Sequence, residues 1–229
     1  MPAPLLLLDT GSPLVSVAVA RDGAVVAQRS VEQQRSSALL LDLVQEALAE
    51  AGTGVRGLGG IAALRGPGSF TGLRIGLATA LGLHQALGVP ATALPTLQAL
   101  AASAAAAEGE IVIAAVDALR GEWSAQAFAA GVVPRPLGEM TLVPGAELPL
   151  LSGGRTAVIV GFGVSRLAGL PGGPSGPRLV EPGSLAPAAA RLAVAPGAEW
   201  DARLLAAPLY SRPPAVSAPR PRPLVAREA

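Results

Sequence analysis

The chain has 229 residues, a formal net charge of +1 and a hydrophobic content of 51%, with only 3% aromatic residues. This length allows one large core or two cores of about a hundred residues each, and the near-neutral charge excludes a global electrostatic attraction to nucleic acid. Because the sequence contains no Cys and a single His, disulfides, thiolate metal sites, a Cys nucleophile and multi-His metal sites are excluded.

The N-terminus carries no pattern of a targeting signal. Residues 1–4 have no positively charged side chain, and the run Leu5–Leu8 is shorter than the apolar region of a signal peptide. No apolar stretch approaches the length that is needed to span a bilayer. We therefore expect a soluble, cytoplasmic protein that does not bind membranes.

The first half of the chain predicts the element order βββαβαβα. The predicted elements are strands over 5–8, 15–19 and 24–28, a helix from Ser36 or Ser37 to residue 51, a strand over 61–64, a helix over 71–87, an extended piece over 89–92 and a helix over 95–107. The turn Arg21-Asp22-Gly23 is a good hairpin signal. Apolar residues recur at helical spacing after Ser37, and glycines at 52 and 54 end that helix.

The second half repeats this pattern in a shorter form. We predict strands over 111–116, 123–129 and 157–160 and a helix over 184–194, with a segment rich in Pro and Gly at 170–177. Prolines beyond Tyr210 predict a disordered tail; its arginines could contact RNA phosphates, but a solvated tail is the favoured alternative. The predicted units are an N-terminal lobe (1–108), a reduced C-terminal lobe (109–212) and the tail (213–229).

A glycine-rich stretch, Arg65–Gly76, connects a predicted strand to a predicted helix. Its glycines and the helix N-terminus could direct backbone N–H groups at an anion or a phosphate, although the chain has no Lys and therefore no Walker A loop. Ser69 or Thr71 can cap the helix. From spacing alone, the favoured alternative is a tight turn that lets the helix pack closely on the sheet. The candidate nucleotide-proximal residues are Asp9, Thr10, Gly66, Gly68, Ser69, Thr71 and Arg74.

Two acidic residues, Asp9 and Asp117, end the first strand of each half. Facing a cleft between halves, such acids could hold a Mg–nucleotide, or they could simply form turns. The duplicated layout, with an Asp closing the first strand, resembles the actin, Hsp70 and sugar-kinase superfamily. The predicted fold class is therefore α/β, a duplicated ribonuclease-H-like fold with two lobes, of which the second is degenerate.

Several motifs fall in the order that is typical of the TsaB (YeaZ) family. They are Leu8-Asp9-Thr10, Arg65–Gly76, Leu94-Pro95-Thr96-Leu97, Val116-Asp117-Ala118 and the closing Ala207-Pro208-Leu209-Tyr210. The block Gly66-Pro67-Gly68-Ser69-Phe70-Thr71-Gly72-Leu73-Arg74 is highly specific. On these residues the chain is identified as a member of that family, over residues 4–130 and again at 207–212.

This resemblance implies a non-catalytic subunit in the synthesis of threonylcarbamoyladenosine next to the anticodon of tRNA. In that pathway the paralogue TsaD transfers the group with a metal held by a His-x-x-x-His pair, and TsaE supplies an ATPase. A chain with one His cannot provide that pair. The implied partners are TsaD, TsaE and, through the complex, tRNA. No tightly bound cofactor is expected, with ATP or ADP at the interface of the complex as an open alternative.

The first two long helices predict a protein interface, because both are apolar over a broad face and glycines at 72 and 76 allow close approach of another backbone. The resemblance implies TsaD as the partner, and a homodimer through the same surface without it; the alternative is that the second half of the same chain covers this face. His84 is expected to be a packing residue. The predicted interface residues are Leu40, Leu41, Val44, Leu48, Gly72, Leu73, Gly76, Leu77, Ala80 and His84.

Two enzymatic alternatives remain beside the scaffold. An ATPase or a sugar-kinase-like enzyme would use Asp9, Asp117 and the glycine loop, and would bind Mg–ATP tightly. A peptidase related to the glycoproteases would need a metal pair or an activated nucleophile. Neither is evident from the sequence, because Ser69 has no His or Lys base nearby.

Overall fold

The computed structural model describes residues 3–32, 36–169 and 176–212, and the side chains of residues 36–38 lie outside this description. The strands are β1 (Leu5–Asp9), β2 (Leu14–Arg21), β3 (Ala24–Glu32), β4 (Gly60–Leu64), β5 (Ala91–Leu94), β6 (Ile111–Asp117), β7 (Glu122–Ala129), β8 (Arg135–Pro136), β9 (Thr141–Pro144), β10 (Ala157–Val160) and β11 (Arg178–Val180). The α-helices are α1 (Ser36–Glu50), α2 (Phe70–Leu87), α3 (Thr96–Ser103) and α4 (Ala186–Ala193). The 3-10 helices span Val55–Gly57, Gly145–Ser152, Val164–Leu167 and Ala202–Ala206.

The first sheet has the strand order β3-β2-β1-β4-β5. Strand β1 is antiparallel to β2 and parallel to β4, and β2 returns to β3 through Asp22 and Gly23, which have φ angles of 50° and 76°. A hairpin turn with two left-handed residues matches the twist of the strands. Helices α1 and α2 cover one face of this sheet with apolar residues such as Leu48 and Leu77, which are buried. We call this unit lobe 1.

The second sheet repeats this connectivity in the order β11-β10-β6-β7-β8, with β9 also paired to β7. Strand β6 is antiparallel to β7 and parallel to β10. Two 3-10 helices cover the outer face of this sheet. Gly145–Ser152 follows the antiparallel strands, as α1 does in lobe 1, and Val164–Leu167 follows β10, as α2 follows β4. This unit, lobe 2, is therefore a degenerate copy. The protein has the duplicated ribonuclease-H-like fold.

Two helices lie between the sheets. Helix α3 follows lobe 1 in the chain but packs on β6, β7 and β10, whereas α4 follows lobe 2 and packs on the first sheet. The face of α4 toward the first sheet consists of Ala186, Ala190 and Ala193, so that the helix approaches closely, and Leu192 joins the core that α3 shares with lobe 2. The two lobes are thus interlocked.

The predicted order βββαβαβα is confirmed for the first half, as are β6, β7, β10 and α4. The short strands β8, β9 and β11 and the 3-10 helices were not predicted. Helix α3 ends at Ser103, earlier than predicted, and Ala105 has a φ of 46°. The predicted tail at 213–229 and the side-chain cap of α1 lie outside the described residues. Within the described residues, no helix combines the length and hydropathy of a membrane span.

Candidate functional site

The glycine loop between β4 and α2 is held by close backbone contacts. Gly66 has a φ of 106°, and a Cβ at this position would lie 2.2 Å from the Leu209 carbonyl oxygen. A Cβ on Gly68 would lie 2.6 Å from the carbonyl oxygen of Gly11, which accepts a hydrogen bond from Ser69 N at 2.9 Å. These glycines therefore allow close packing of the loop against neighbouring backbone, in agreement with the tight turn that the spacing alone favoured.

The N-terminus of α2 is capped from within the chain. The Ser69 hydroxyl accepts a hydrogen bond from Gly72 N at 3.2 Å, as predicted for one of the two cap candidates, whereas Thr71 lies exposed in the first turn. Together with the bond from Ser69 N to Gly11, two of the backbone amides that could face an anion are already engaged. A nucleotide at this loop stays a prediction.

Asp9 lies in the interior at the end of β1, with 4% of its surface exposed. Its Oδ1 accepts hydrogen bonds from Gly11 N at 3.2 Å and Ser12 N at 3.1 Å. Burial raises the pKa of Asp9 to about 6, and hydrogen bonds from Ser12 and Gly11 partly oppose the shift. The neighbouring Thr10 is also buried and lies against Gly76 of α2. This carboxylate supports the turn between β1 and β2 rather than facing solvent.

Asp117, at the equivalent end of β6, lies at the surface of a cleft. Its Oδ1 accepts a hydrogen bond from Leu119 N at 2.8 Å, and its Oδ2 forms a 2.7 Å ion pair with Arg166. The turn that it supports holds Leu119 and Arg120 in the left-handed region, with φ angles of 67° and 60°. The two acids thus have different environments, and both accept hydrogen bonds within the chain.

The interlobe cleft is a cavity of about 550 Å³ between the ends of β1 and β6. Residues 11–13 and 67–70 form the lobe 1 wall, residues 116–119 and Phe162 form the lobe 2 wall, and residues 210–212 close one side. Aliphatic, proline and aromatic side chains dominate, with hydroxyl groups between them. The volume is that of a small-molecule site. Of the predicted loop residues, Gly68 and Ser69 line this cleft, whereas Asp9 does not.

The C-terminal residues 207–212, which we call the strap, lie against the glycine loop. Leu209 N donates to the Arg65 carbonyl oxygen at 2.7 Å, and Arg65 Nη1 donates to the Ala207 oxygen at 3.2 Å. Burial lowers the pKa of Arg65, and the Glu199 carboxylate opposes this shift. The order of the motifs indicated that the closing residues matter, but no local pattern revealed that they contact the glycine loop.

An aromatic and cationic cluster joins the strap to α2. The rings of Phe70 and Tyr210 lie 4.8 Å apart, and the Arg74 guanidinium lies 3.9 Å from the centre of the Phe70 ring. Arg74 Nε also donates to the Tyr210 hydroxyl at 3.2 Å. The Arg74 guanidinium is thus engaged by these two rings, and its predicted place near a nucleotide stays a prediction.

Most of the predicted interface residues lie inside lobe 1. Six of them lie beneath α1 and α2, and at most 4% of the surface of each is exposed. These six are Leu40, Val44, Leu48, Leu73, Leu77 and Ala80. Gly72 and Gly76 are buried too, and a Cβ on Gly76 would lie 2.0 Å from Thr10 Oγ1. The close approach of the α2 backbone is therefore to the Thr10 side chain, directly after β1 of the same chain. Among the predicted interface residues that the structure describes, Leu41, which is 58% exposed, presents an open apolar surface.

His84 lies near the C-terminal end of α2 and is half-buried. Its Nδ1 lies 2.7 Å from the Val89 carbonyl oxygen, and the helix ends at Gly88, which adopts a left-handed conformation. This contact secures the end of the helix, in agreement with a packing role. No group of three or more His, Cys, Asp or Glu residues that could hold a metal occurs among the described residues.

Comparison with known proteins points to one family. The profile of the family TsaD, tRNA N6-adenosine threonylcarbamoyltransferase, matches residues 25–131. The chain is 37% identical over 119 residues to the tRNA threonylcarbamoyladenosine biosynthesis protein TsaB of Escherichia coli, and 35% identical to that of Haemophilus influenzae. These alignments cover 52% of this chain and 52% and 50% of those proteins, so that the chain spans about half the length of the curated relatives it matches.

A solved structure extends the similarity beyond the aligned half. The structure of YeaZ from Pseudomonas aeruginosa superposes with a TM-score of 0.74 at 28% identity, covering 89% of this chain and 98% of that chain. A second structure, described as similar to peptidase YeaZ from the same organism, gives a TM-score of 0.69 over 84% of this chain. Both lobes are therefore shared with these proteins.

Proposed function

Because the chain belongs to the TsaB (YeaZ) family, we propose that it takes part in the synthesis of threonylcarbamoyladenosine in tRNA, as a non-catalytic subunit that binds TsaD in the cytoplasm. The similarity to TsaB proteins carries this proposal. The match to the TsaD family profile over residues 25–131 supports a common origin with the transferase. Membership of a complex with TsaD and TsaE, and contact with tRNA through it, are parts of the proposal.

The environments of the candidate catalytic groups support an accessory role. Asp9 is buried with its Oδ1 engaged by two amides, Asp117 is paired with Arg166, and the Ser69 hydroxyl accepts from Gly72 N. The single His lies against a backbone carbonyl. Asp9 does not line the interlobe cleft, and Asp117 Oδ2 would have to exchange Arg166 for a metal ion before it could hold a Mg–nucleotide; both facts disfavour the ATPase alternative.

The surface that we propose for TsaD is the solvent side of α1 and α2. It contains Leu41, which is 58% exposed, and the small exposed residues Ala78 and Gly82, over which a partner helix can approach closely. Without TsaD, the same surface would serve a homodimer. ATP or ADP would bind at the interface of the complex, where the partner adds groups to those of this chain.

The test combines light scattering after size-exclusion chromatography with an assay of tRNA modification by the chain, its cognate TsaD and TsaE. Leu41→Arg and Ala78→Arg change exposed positions, so that both variants should fold. A matched control is Val132→Arg, since Val132 is 79% exposed on lobe 2. Gly76→Leu is unsuitable, because its side chain would clash with Thr10 inside the fold.

We expect the wild-type chain and the control to form a heterodimer with TsaD and to support modification. Each variant on α1 or α2 should weaken both by at least ten-fold, because a desolvated Arg in an apolar contact costs more than about 1.4 kcal/mol. Equal association by all four proteins would contradict the proposed surface. Tight binding and turnover of Mg–ATP by the chain alone, measured by calorimetry, would contradict the non-catalytic role.

A further inference from the structure

The strap connects the two lobes across the interlobe cleft. Its first residues are bound to lobe 1, through the backbone contacts with Arg65 and the stacking of Tyr210 on Phe70. Its last described residue, Arg212, forms an ion pair with Glu122, the first residue of β7 in lobe 2. Six residues thus run from an anchor on one lobe to an anchor on the other.

We propose that the strap is a latch, which controls access to the interlobe cleft through the Arg212–Glu122 ion pair. Tyr210, Ser211 and Arg212 themselves form one side of the cleft. If the strap leaves, the cavity of about 550 Å³ loses that side and opens more widely to solvent. The site that the latch covers therefore changes its accessibility without any movement of the two sheets.

The two anchors differ in strength, and this difference decides which end opens. The lobe 1 anchor consists of two hydrogen bonds with Arg65, a ring contact and the Arg74–Tyr210 bond. The lobe 2 anchor is one ion pair between side chains that are 36% and 39% exposed. Exposed ion pairs are individually weak and are screened by salt. The strap should therefore open first at Arg212, and more often at high ionic strength.

The absence of Cys from the sequence makes the opening measurable through a single introduced thiol. Ala118→Cys places the thiol on the lobe 2 wall of the cleft, and Ala49→Cys places one on the exposed side of α1 as a reference. The rate of reaction with a small disulfide reagent is measured for each. Arg212→Ala removes the proposed latch, and Arg203→Ala is the control, because the Arg203–Asp201 pair stays within one lobe 1 segment.

We expect Arg212→Ala to accelerate labelling of the thiol at position 118 about two- to five-fold at low salt, while Arg203→Ala has no effect. Exchanging the charges with Arg212→Glu and Glu122→Arg together should restore the slow rate, and Tyr210→Ala should accelerate labelling from the other end. An unchanged rate at position 118 in Arg212→Ala would overturn the latch, whatever the effect of Tyr210→Ala. An equal acceleration of the reference thiol at position 49 would also overturn it, since the whole fold would then have loosened.

Discussion

At the scale of single residues, two glycines of α2 have opposite roles. A Cβ on Gly76 would lie 2.0 Å from Thr10 Oγ1, well inside van der Waals contact with a buried, β-branched side chain. No atom lies within 4 Å of a Cβ built on Gly82. Gly76 is therefore required for packing, whereas Gly82 only lowers the helix propensity.

The first prediction compares Gly76→Ala with Gly82→Ala. We expect Gly76→Ala to lower the free energy of unfolding by about 1–3 kcal/mol through overpacking. Gly82→Ala should raise it by about 1 kcal/mol, because Ala is the better helix former. Urea unfolding followed by circular dichroism measures both. Equal effects of the two substitutions would contradict the packing of α2 against Thr10.

The second prediction concerns Asp9 and pH. Its pKa is about 6 in the folded chain against 3.8 ordinarily, so that the folded state binds the proton more tightly. The contribution of Asp9 to the free energy of unfolding is therefore fully present at low pH. It falls by about 3 kcal/mol in total as the pH rises from about 4 to 6. Asp9→Asn should lack this loss. The difference in unfolding free energy between variant and wild type, measured from pH 4 to 7, isolates the effect; parallel curves would exclude it.

Sequence patterns identified the important residues more reliably than their roles. The spacing of glycines marked Gly66, Gly68 and Gly76 correctly as sites of close approach, but it could not say which backbone or side chain approaches. For Gly66 the neighbour is Leu209, far along the chain. Periodicity likewise shows that α1 and α2 each have an apolar face, but it does not show which element covers that face. The covering element is the first sheet, because the topology places it there.

At the scale of elements, the C-terminal 3-10 helix Ala202–Ala206 was not predicted. It is short and lacks apolar periodicity, and its buried side chain is Leu205, which is 3% exposed in the core of lobe 1. Strands β1 to β7 were predictable because apolar runs and turn residues delimit them. The strands β8 and β11 have two and three residues and carry no such signal.

The third prediction tests whether this helix belongs to the core. Leu205→Ala should lower the unfolding free energy by about 2–4 kcal/mol, because it removes a buried side chain and leaves a cavity. Leu150→Ala is the matched control in another 3-10 helix, since Leu150 is 71% exposed, and it should change stability by less than about 0.5 kcal/mol. If both variants unfold at the same urea concentration, the C-terminal helix does not stabilise lobe 1.

At the scale of the whole molecule, the duplication was predictable from the repeated strand order and from the acid that ends β1 and β6. The exchange of helices between the lobes was not. Nothing in the sequence of α3 says that it packs on lobe 2, because its apolar face would suit either sheet. Only the three-dimensional arrangement makes α3 and α4 a shared layer.

The fourth prediction follows from this shared layer: the two lobes should unfold together. Unfolding one lobe exposes α3 or α4 from the other, so that neither lobe keeps a complete core alone. The chain has two Trp residues, of which Trp123 is buried in lobe 2 and Trp200 packs against apolar residues of the first sheet. The variant Trp123→Phe keeps Trp200 as its fluorescence reporter, and the variant Trp200→Phe keeps Trp123. We expect the urea midpoint measured by Trp fluorescence to equal the midpoint measured by circular dichroism for the same variant. If the two midpoints are clearly separated, the lobes unfold independently despite the exchanged helices.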